Sequence, residues 1–233
     1  MNELNQRVAI IADSHANLQG IELCFQKITS LGVDQVLCCG DLVGYGNEPN
    51  EVVEFCRVHG IQSIAGNHDR LVCRQCPREG WSEFALRKVD WTRSVLTEAN
   101  FTYLYNLPLY MVTDDYCVVH GAWSDPDKYL FEERDFFEEL ELLPARLVFH
   151  GHTHIPGVFQ FLLAEGKFDY RYLMPTRTSD VYVKLPDESS LILVSFVNPG
   201  TVGYPRGVSD QGSFVVWETE TGKVTYHFYP LFA

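Results

Sequence analysis

In the segment FHGHTHIPG, residues 149–157, His150, His152 and His154 alternate beside glycine, in a chain with only eight histidines. Along an extended backbone, positions i, i+2 and i+4 project to one side. The spacing therefore predicts a one-sided row of imidazoles, and neutral imidazole is the commonest protein ligand for a metal. A polar loop end with solvated histidines accounts for this stretch equally well, so the rest of the chain decides. Asp13 and His15 stand in ADSHAN, Asp41 in CGDLVG, Asn67 and His68 in GNHD, and His120 in VVHGA. Each set follows an apolar run and adjoins a glycine or another small residue, which lets backbones turn sharply and approach closely. Apart from His68, the donors are imidazoles, carboxylates and one amide. That set is too large for one tetrahedral ion and suits two neighbouring ions. With no thiolate among them, manganese is the first expectation, with Fe, Zn, Co or Ni as other choices.

The elements that must position these groups follow from the pattern. VAIIAD (8–13) reads as a buried strand ending at an aspartate. Asn17 then caps a helix carrying Leu18, Ile21, Phe25 and Ile28, with Gly32 just past its end. QVLCCGD (35–41) predicts a second strand, Pro49 opens a helix to about His59, and IQSIAGNHD (61–69) predicts a third strand. The order β-α-β-α-β implies parallel strands with right-handed crossovers, and open α/β sheets bind ligands beyond their carboxyl ends. Residues 81–107 read as helical with a second start at Thr97, and 109–121 as a hairpin about Asp114–Asp115. DFFEELELL (135–143) reads as a short acidic helix. RLVFHGHTH, GVFQFLL, LILVSFVNPG, GSFVVWE and KVTYHFY supply more strands. Residues 164–190, with Pro175 and Pro186, read as a surface excursion. The whole predicts a single α/β domain over 1–233 with two packed mixed β-sheets flanked by helices.

Composition narrows the function classes. A net charge of −13, from 18 Lys+Arg against 31 Asp+Glu, repels a nucleic-acid backbone over any broad face. It leaves room for a small phosphate ester at a metal centre, where cations dominate the local field. No apolar run approaches the ~20 residues of a membrane helix. The polar start MNELNQRVAI lacks the apolar stretch of a signal peptide. Seven cysteines without framework spacing fit a reducing cytosol. Cys73-Arg-Gln-Cys76 is one CxxC without a second pair, which cannot complete a structural zinc site. A dinucleotide-binding loop would need G-x-G-x-x-G after the first strand, where this chain has DSHAN.

The ordered series D-x-H (13–15), G-D (40–41), G-N-H-D (66–69), His120 and G-H-T-H (151–154) resembles the calcineurin-like metallophosphoesterase superfamily, in its small bacterial and archaeal phosphodiesterase branch. NPGTVGYPR (198–206) is similar to that branch's late strand-and-loop signature. Ala16 departs from the pattern, since the family more often has glycine there. The resemblance implies a four-layer αββα fold. It implies that Asp13, His15, Asp41 and His154 hold one divalent ion while Asp41, Asn67, His120 and His152 hold the other, Asp41 bridging. His68 would face the substrate and protonate the leaving oxygen or stabilise transition-state charge, oriented by Asp69; from their positions beside the motifs, Arg206 and Asn67 read as substrate contacts.

The activity implied is hydrolysis of a small phosphate ester, most simply a diester, by attack of a hydroxide bridging two metals. A phosphomonoesterase and a non-catalytic metal-binding scaffold are the alternatives. A nuclease of the same superfamily would be expected to carry an extra nucleic-acid-binding domain. Tyr45, Asn47, Arg70 and Tyr204 follow the motifs closely enough to line the pocket. His150 reads as a strand-end histidine satisfied locally, His59 and His227 as exposed, and Ser14 as pointing away from the ligands. The expected setting is cytoplasmic, with a small-molecule partner and no membrane; the pattern leaves oligomeric state open.

Overall fold

The structure, a computed structural model, describes residues 5–164, 167–184, 191–206 and 210–231. Strand β1 (Arg7–Ile11) leads to helix α1 (Leu18–Leu31), strand β2 (Gln35–Cys38), helix α2 (Pro49–Val58) and the two-residue strand β3 (Gln62–Ser63). Helices α3 (Asn67–Val72), α4 (Glu83–Val95) and α5 (Glu98–Tyr105) follow. The chain continues through β4 (Met111–Val112), β5 (Tyr116–Val118), α6 (Glu133–Glu139), β6 (Leu147–Phe149), β7 (Gly157–Ala164) and β8 (Lys167–Leu173). It ends with β9 (Ser179–Tyr182), β10 (Ile192–Asn198), β11 (Gln211–Glu218) and β12 (Lys223–Pro230).

Two six-stranded sheets result, in the orders β3-β2-β1-β11-β12-β9 and β4-β5-β6-β10-β7-β8. Both are mixed: β1, β2 and β3 run parallel, as do β5, β6 and β10, while β11 and β7 join antiparallel. Period-2 alternation distributes each strand between two cores. In β1, Val8 and Ile10 point to the layer between the sheets, with Leu37, Phe149, Val197, Val215 and Tyr226. Ala9 and Ile11 point outward to Ile21, Cys24 and Ile28 of α1 and to Val52 and Val53 of α2. On the far side, Phe159, Phe161 and Phe196 pack on Phe136 of α6. Strands covered on both faces read as unbroken apolar runs, which is the pattern of VAIIA and RLVF. The layers are therefore helix, sheet, sheet, helix, as the sequence predicts.

Local signals placed the helices well. Asn17 accepts the Gly20 N–H at 2.9 Å and Gly32 closes α1 in the left-handed region at φ 64°. Ser82 and Thr97 cap α4 and α5. Two expectations need correction. The predicted third strand over 61–69 shrinks to Gln62–Ser63, and Asn67 onward is helix α3. Asp69 reaches back to accept the Gly66 N–H at 2.9 Å, a third-residue acid capping a helix start. Within 164–190, β8 pairs with β7 from Val158↔Leu173 to Ala164↔Lys167, and β9 pairs with β12. These are sheet edges, not an excursion; residues 165–166 and 185–190 lie outside the described residues.

One hydroxyl joins the sheets beside the loops that matter. Tyr226 of β12 is fully buried, and its OH donates to the Gly157 carbonyl at 2.7 Å and lies 3.0 Å from that of Asn198. Both carbonyls belong to the other sheet. Tyr226→Phe should therefore lower unfolding stability by about 1–3 kcal/mol, the cost of stranding buried acceptors. Urea denaturation with an unchanged m-value is the check; an unchanged midpoint would show that the link contributes nothing.

Candidate metal centre

The carboxyl ends of the parallel strands of both sheets point the same way, and the motif residues sit on the loops that leave them. Asp13 and His15 follow β1, Asp41 follows β2, Asn67 and His68 open α3, His120 follows β5, and His152 and His154 follow β6. Backbone bonds extend the β1–β2 pairing past the strand ends: Asp13 N to Gly40 O at 3.0 Å, His15 N to Asp41 O at 3.0 Å and Ala16 N to Leu42 O at 2.8 Å. The loops need this bracing. Asp13, His15, Ala16, Asp41, His152 and His154 all hold φ between 47° and 68°, where a residue with a Cβ is disfavoured by about 1–2 kcal/mol. Alternation is therefore not what aligns the histidines of GHTH. Left-handed turns at His152 and His154 turn both inward, and Ala16 occupies a conformation that glycine would take without strain.

Asp13, His15, Asp41, His68, His120, His152 and His154 converge, buried to 3% exposure or less. Three groups could each hold a cation: Asp13–His15–His154, His15–Asp41–His68 and Asp41–His120–His152. In the first, His15 Nε2 and His154 Nε2 face each other at 3.1 Å, with Asp13 Oδ1 at 3.9 and 3.4 Å from them. In the last, His120 Nε2 lies 3.4 Å from Asp41 Oδ2 and 3.1 Å from Asn67 Oδ1. Asp41 Oδ2 is also 3.5 Å from His15 Nε2, so one carboxylate oxygen faces both ends of the cluster.

The second nitrogen of each ring is held by a backbone carbonyl. His15 Nδ1 meets Val43 O at 3.2 Å, His120 Nδ1 meets Cys39 O at 2.8 Å, His154 Nδ1 meets Tyr204 O, and His152 Nε2 meets Asp127 O at 3.1 Å. A carbonyl only accepts, so the facing nitrogen carries the hydrogen and its partner is turned inward, as a lone pair on every ring that is neutral. That is how proteins orient metal-binding imidazoles. The carboxylates are divided the same way. Asp13 Oδ2 accepts the His152 N–H at 3.1 Å and Asp41 Oδ1 the His68 N–H at 2.9 Å. Asp13 Oδ1 is left buried with no hydrogen-bond partner. An orphaned carboxylate oxygen beside inward lone pairs fits a divalent cation, because nothing else nearby satisfies it.

Charge tells the same story. Burial pushes Asp13 up to about 8, the nearby His120 pulling it back only in part. Burial would raise Asp41 too, but His120, His68 and His15 around it hold it well below the usual carboxylate range. Burial lowers His15 strongly, His154 to about 3 and His152 to about 2, leaving neutral imidazoles. For His120 burial is outweighed by Asp41, which lifts it to about 9.

Asp69 departs from its expected role. Its oxygens accept the N–H groups of Gly66 at 2.9 Å, Val43 at 3.1 Å and Leu42 at 3.3 Å, so it ties α3 to the Asp41 loop and does not orient His68. His68 Nδ1 is buried without a partner. The ring instead lies against Trp81, Tyr45 and His15, with centroids 4.6–4.8 Å away. Glycine at 66 is required by contact, since a Cβ there would collide with Asp41 Oδ1 and the Asp41 backbone nitrogen.

Of the other residues singled out, Tyr45 and Tyr204 border the cluster, and Arg206 donates to His152 O at 3.1 Å. Asn47 is exposed and accepts from Lys88, and Arg70 pairs with Asp127 at 2.8 Å. His150 stays outside the cluster, buried against Phe136, with Asn198 Nδ2 3.4 Å from its Nδ1. His59 is exposed as expected; His227 is half-buried, stacked on Phe214 at 5.0 Å, because its neighbour strand supplies an aromatic face. Ser14 is buried with its hydroxyl on Leu42 O. Cys73 and Cys76 pack with the first core and join none of the metal-capable groups among the described residues. Sequence reasoning missed Asp127 and Tyr129, whose loop supplies the carbonyl on His152 Nε2 and a ring stacked on it at 3.7 Å. Neither carries a motif. The NPGTVGYPR segment adds braces: Asn198 holds Gly151 O at 2.8 Å and Thr201 holds Asp13 O at 2.6 Å.

Comparison with known proteins agrees with this geometry. Residues 7–222 match the family model of the calcineurin-like phosphoesterase superfamily domain. An uncharacterized protein of Methanocaldococcus jannaschii is 30% identical over 227 residues, covering 93% of this chain and 84% of that protein. The crystal structure of a metallophosphoesterase from Sphaerobacter thermophilus superposes with a TM-score of 0.76 at 30% identity, covering 97% of this chain and 88% of that one. A hypothetical protein of Pyrococcus horikoshii OT3 has a TM-score of 0.74 at 17% identity, covering 96% and 88%. No helix among the described residues is long and apolar enough to cross a membrane.

Cation binding should compete with protons on Asp13 and His120, since both are held above neutrality and must lose a proton to act as ligands. The affinity of chelator-stripped protein for Mn²⁺ is expected to rise from pH 6 to pH 8, with net proton release. Titration calorimetry in buffers of different ionisation enthalpy measures this; binding without proton release would remove these groups from the site.

Proposed function

The chain belongs to the calcineurin-like phosphoesterase superfamily, and we propose that within it this protein is a dinuclear metal-dependent phosphodiesterase acting on a small phosphate ester. The observation that carries the reading is Asp41 Oδ2, 3.5 Å from His15 Nε2 and 3.4 Å from His120 Nε2. A carboxylate oxygen so placed suits a bridge between two cations. Asp13, His15 and His154 would complete one site, and Asn67, His120 and His152 the other. Manganese is the ion we favour. Two bound cations would supply a water acidic enough to ionise near neutrality and a charge sink for the ester oxygens.

The chain's own groups supply the rest. His68 is held by its backbone N–H on Asp41 and by packing on Trp81 and Tyr45, with no side chain competing for its Nδ1. We assign it the leaving oxygen, to which an imidazole N–H can donate as charge develops. Arg206, anchored on His152 O and Tyr129, offers its guanidinium to a non-bridging phosphate oxygen. Arg70 is neutralised by Asp127, and one guanidinium beside a cation pair matches the single charge of a diester better than the double charge of a monoester. With the full donor set and His68 all present, a scaffold without activity is disfavoured.

Chelator-treated protein should lose hydrolysis of bis(p-nitrophenyl) phosphate and regain it with Mn²⁺, and that diester should be turned over faster than p-nitrophenyl phosphate. Activity that survives chelation sinks the metal mechanism, and a much faster monoester makes the protein a phosphatase.

Removal of the two key side chains should separate binding from chemistry. Asp41→Asn is expected to lower metal content and rate together, since an amide bridges two cations poorly. His68→Ala should keep its metal and lose roughly two to four orders of magnitude in turnover, with a smaller loss when the leaving group is nitrophenolate than when it is an alkoxide. Metal analysis beside rates on both ester types decides; equal losses on the two would rule out proton donation by His68.

A further inference from the structure

Aromatic rings flank the cluster on two sides. On the His15 side, Phe84, Tyr45 and Tyr204 form a stacked run, with centroids 6.1 Å apart for Phe84–Tyr45 and 4.5 Å for Tyr45–Tyr204. Tyr45 in turn lies 4.7 Å from His15 and 4.6 Å from His68. On the His152 side, Tyr129 stacks on His152 at 3.7 Å and on Phe131 at 5.1 Å. Arg206 lies beside this second bank, its guanidinium carbon 5.9 Å from the Tyr129 ring.

These rings remain open to solvent. Phe84, Tyr204, Tyr129 and Phe131 are 49, 40, 38 and 50% exposed. Single exposed apolar side chains are ordinary in proteins; rings ranked on both sides of a buried polar cluster are the arrangement that marks a binding surface. A phosphodiester held at the cluster has two substituents, and each must lie against the residues that surround it. We propose that the two aromatic banks receive planar aromatic substituents of the ester, so that the substrate is a phosphodiester carrying at least one nucleobase or aryl ring. The assignment rests on the phosphodiesterase reading. Every base or aryl group has a π-face to stack on these rings, and Arg206 adds a cation over the same surface.

The test uses Mn²⁺-loaded protein and three diesters that share a p-nitrophenolate leaving group: methyl, phenyl and thymidine-5′ p-nitrophenyl phosphate. A common leaving group makes their ratio a measure of the retained arm. The phenyl or thymidine ester should exceed the methyl ester by roughly ten-fold or more in kcat/KM, the usual scale of one ring stacked on another. Preference for thymidine over phenyl identifies a nucleoside as the source of the ring, and the reverse identifies an aryl alcohol. Tyr204→Ala with Phe84→Ala, or Tyr129→Ala with Phe131→Ala, should collapse the ratio, according to which bank holds that arm. Equal kcat/KM for the three esters overturns the proposal and leaves the phosphodiesterase reading standing, and so does a ratio that survives in both double variants. No hydrolysis of any of the three, with metal bound, overturns the phosphodiesterase reading itself.

Discussion

Asp13, Asp41 and Asp69 lie side by side at the heart of the molecule, each 1% exposed or less. Carboxylates removed from water must be hydrogen-bonded, paired or protonated, or the fold bears several kcal/mol for each. Here every one of them is tied to a different stretch of chain. Asp13 accepts the His152 N–H, Asp41 the His68 N–H, and Asp69 the N–H groups of Leu42, Val43 and Gly66. The acids therefore do two things at once. They lace the loops after β1, β2 and β6 and the start of α3 into one body, and they keep an uncommitted oxygen on Asp13 and on Asp41 facing the imidazoles. Burial leaves Asp13 near 8 and Asp69 near 7, which is how the protein alone lives with this density of negative charge.

The left-handed turns belong to the same economy of space. A side chain on an ordinary strand end would follow the strand direction and alternate between faces. Positive φ at Asp13, His15, Asp41, His152 and His154 breaks that alternation and turns successive donors toward one point. Such backbone is disfavoured unless its surroundings over-determine it. The bonds from Asp13 N, His15 N and Ala16 N to the 40–42 segment do so, together with Thr201 on Asp13 O and Asn198 on Gly151 O. Tyr226 carries this bracing across the sandwich, so the relative setting of the two sheets enters the geometry of the cluster.

Imidazoles set on backbone carbonyls are pre-oriented toward the cluster, in a chain that belongs to the calcineurin-like phosphoesterase superfamily. The surrounding field is arranged to suit. A chain of net charge −13 repels bulk anions, yet a half-buried Arg206 and the exposed rings of Phe84, Tyr129, Phe131 and Tyr204 stand beside the cluster, together with an Asp127 paired to Arg70. Local chemistry beside the cluster is thus unlike the surface as a whole.

The residues that can hold a metal were legible in the sequence because their chemistry is written in their side chains. Asp13, His15, Asp41, Asn67, His120, His152 and His154 could be named from type, neighbours and order, and two packed sheets flanked by helices followed from apolar runs and helix starts such as Asn17 and Thr97. Where the sequence misled, a nonlocal or conformational cause was at work. Phe168, Tyr170 and Tyr172 alternate with Lys167, Asp169 and Arg171, which is a strand pattern, but within a segment holding Pro175 and Pro186 it reads as a surface excursion, and only pairing with β7 makes it β8. GNHD read as a strand end because a helix start capped by its own third residue leaves little trace in so short a run. Asp69 beside His68 suggested a partnership that the fold denies, since adjacent side chains on a helix diverge and its carboxylate is claimed by amides 26 and 27 residues away in sequence. The sequence by itself determined which atoms could bind and which strands could be buried. Only the tertiary structure decided where those atoms point, because direction came from left-handed turns and from carbonyls such as Tyr204 O and Asp127 O, contributed by chain segments 50 and 25 residues away from the histidines they hold.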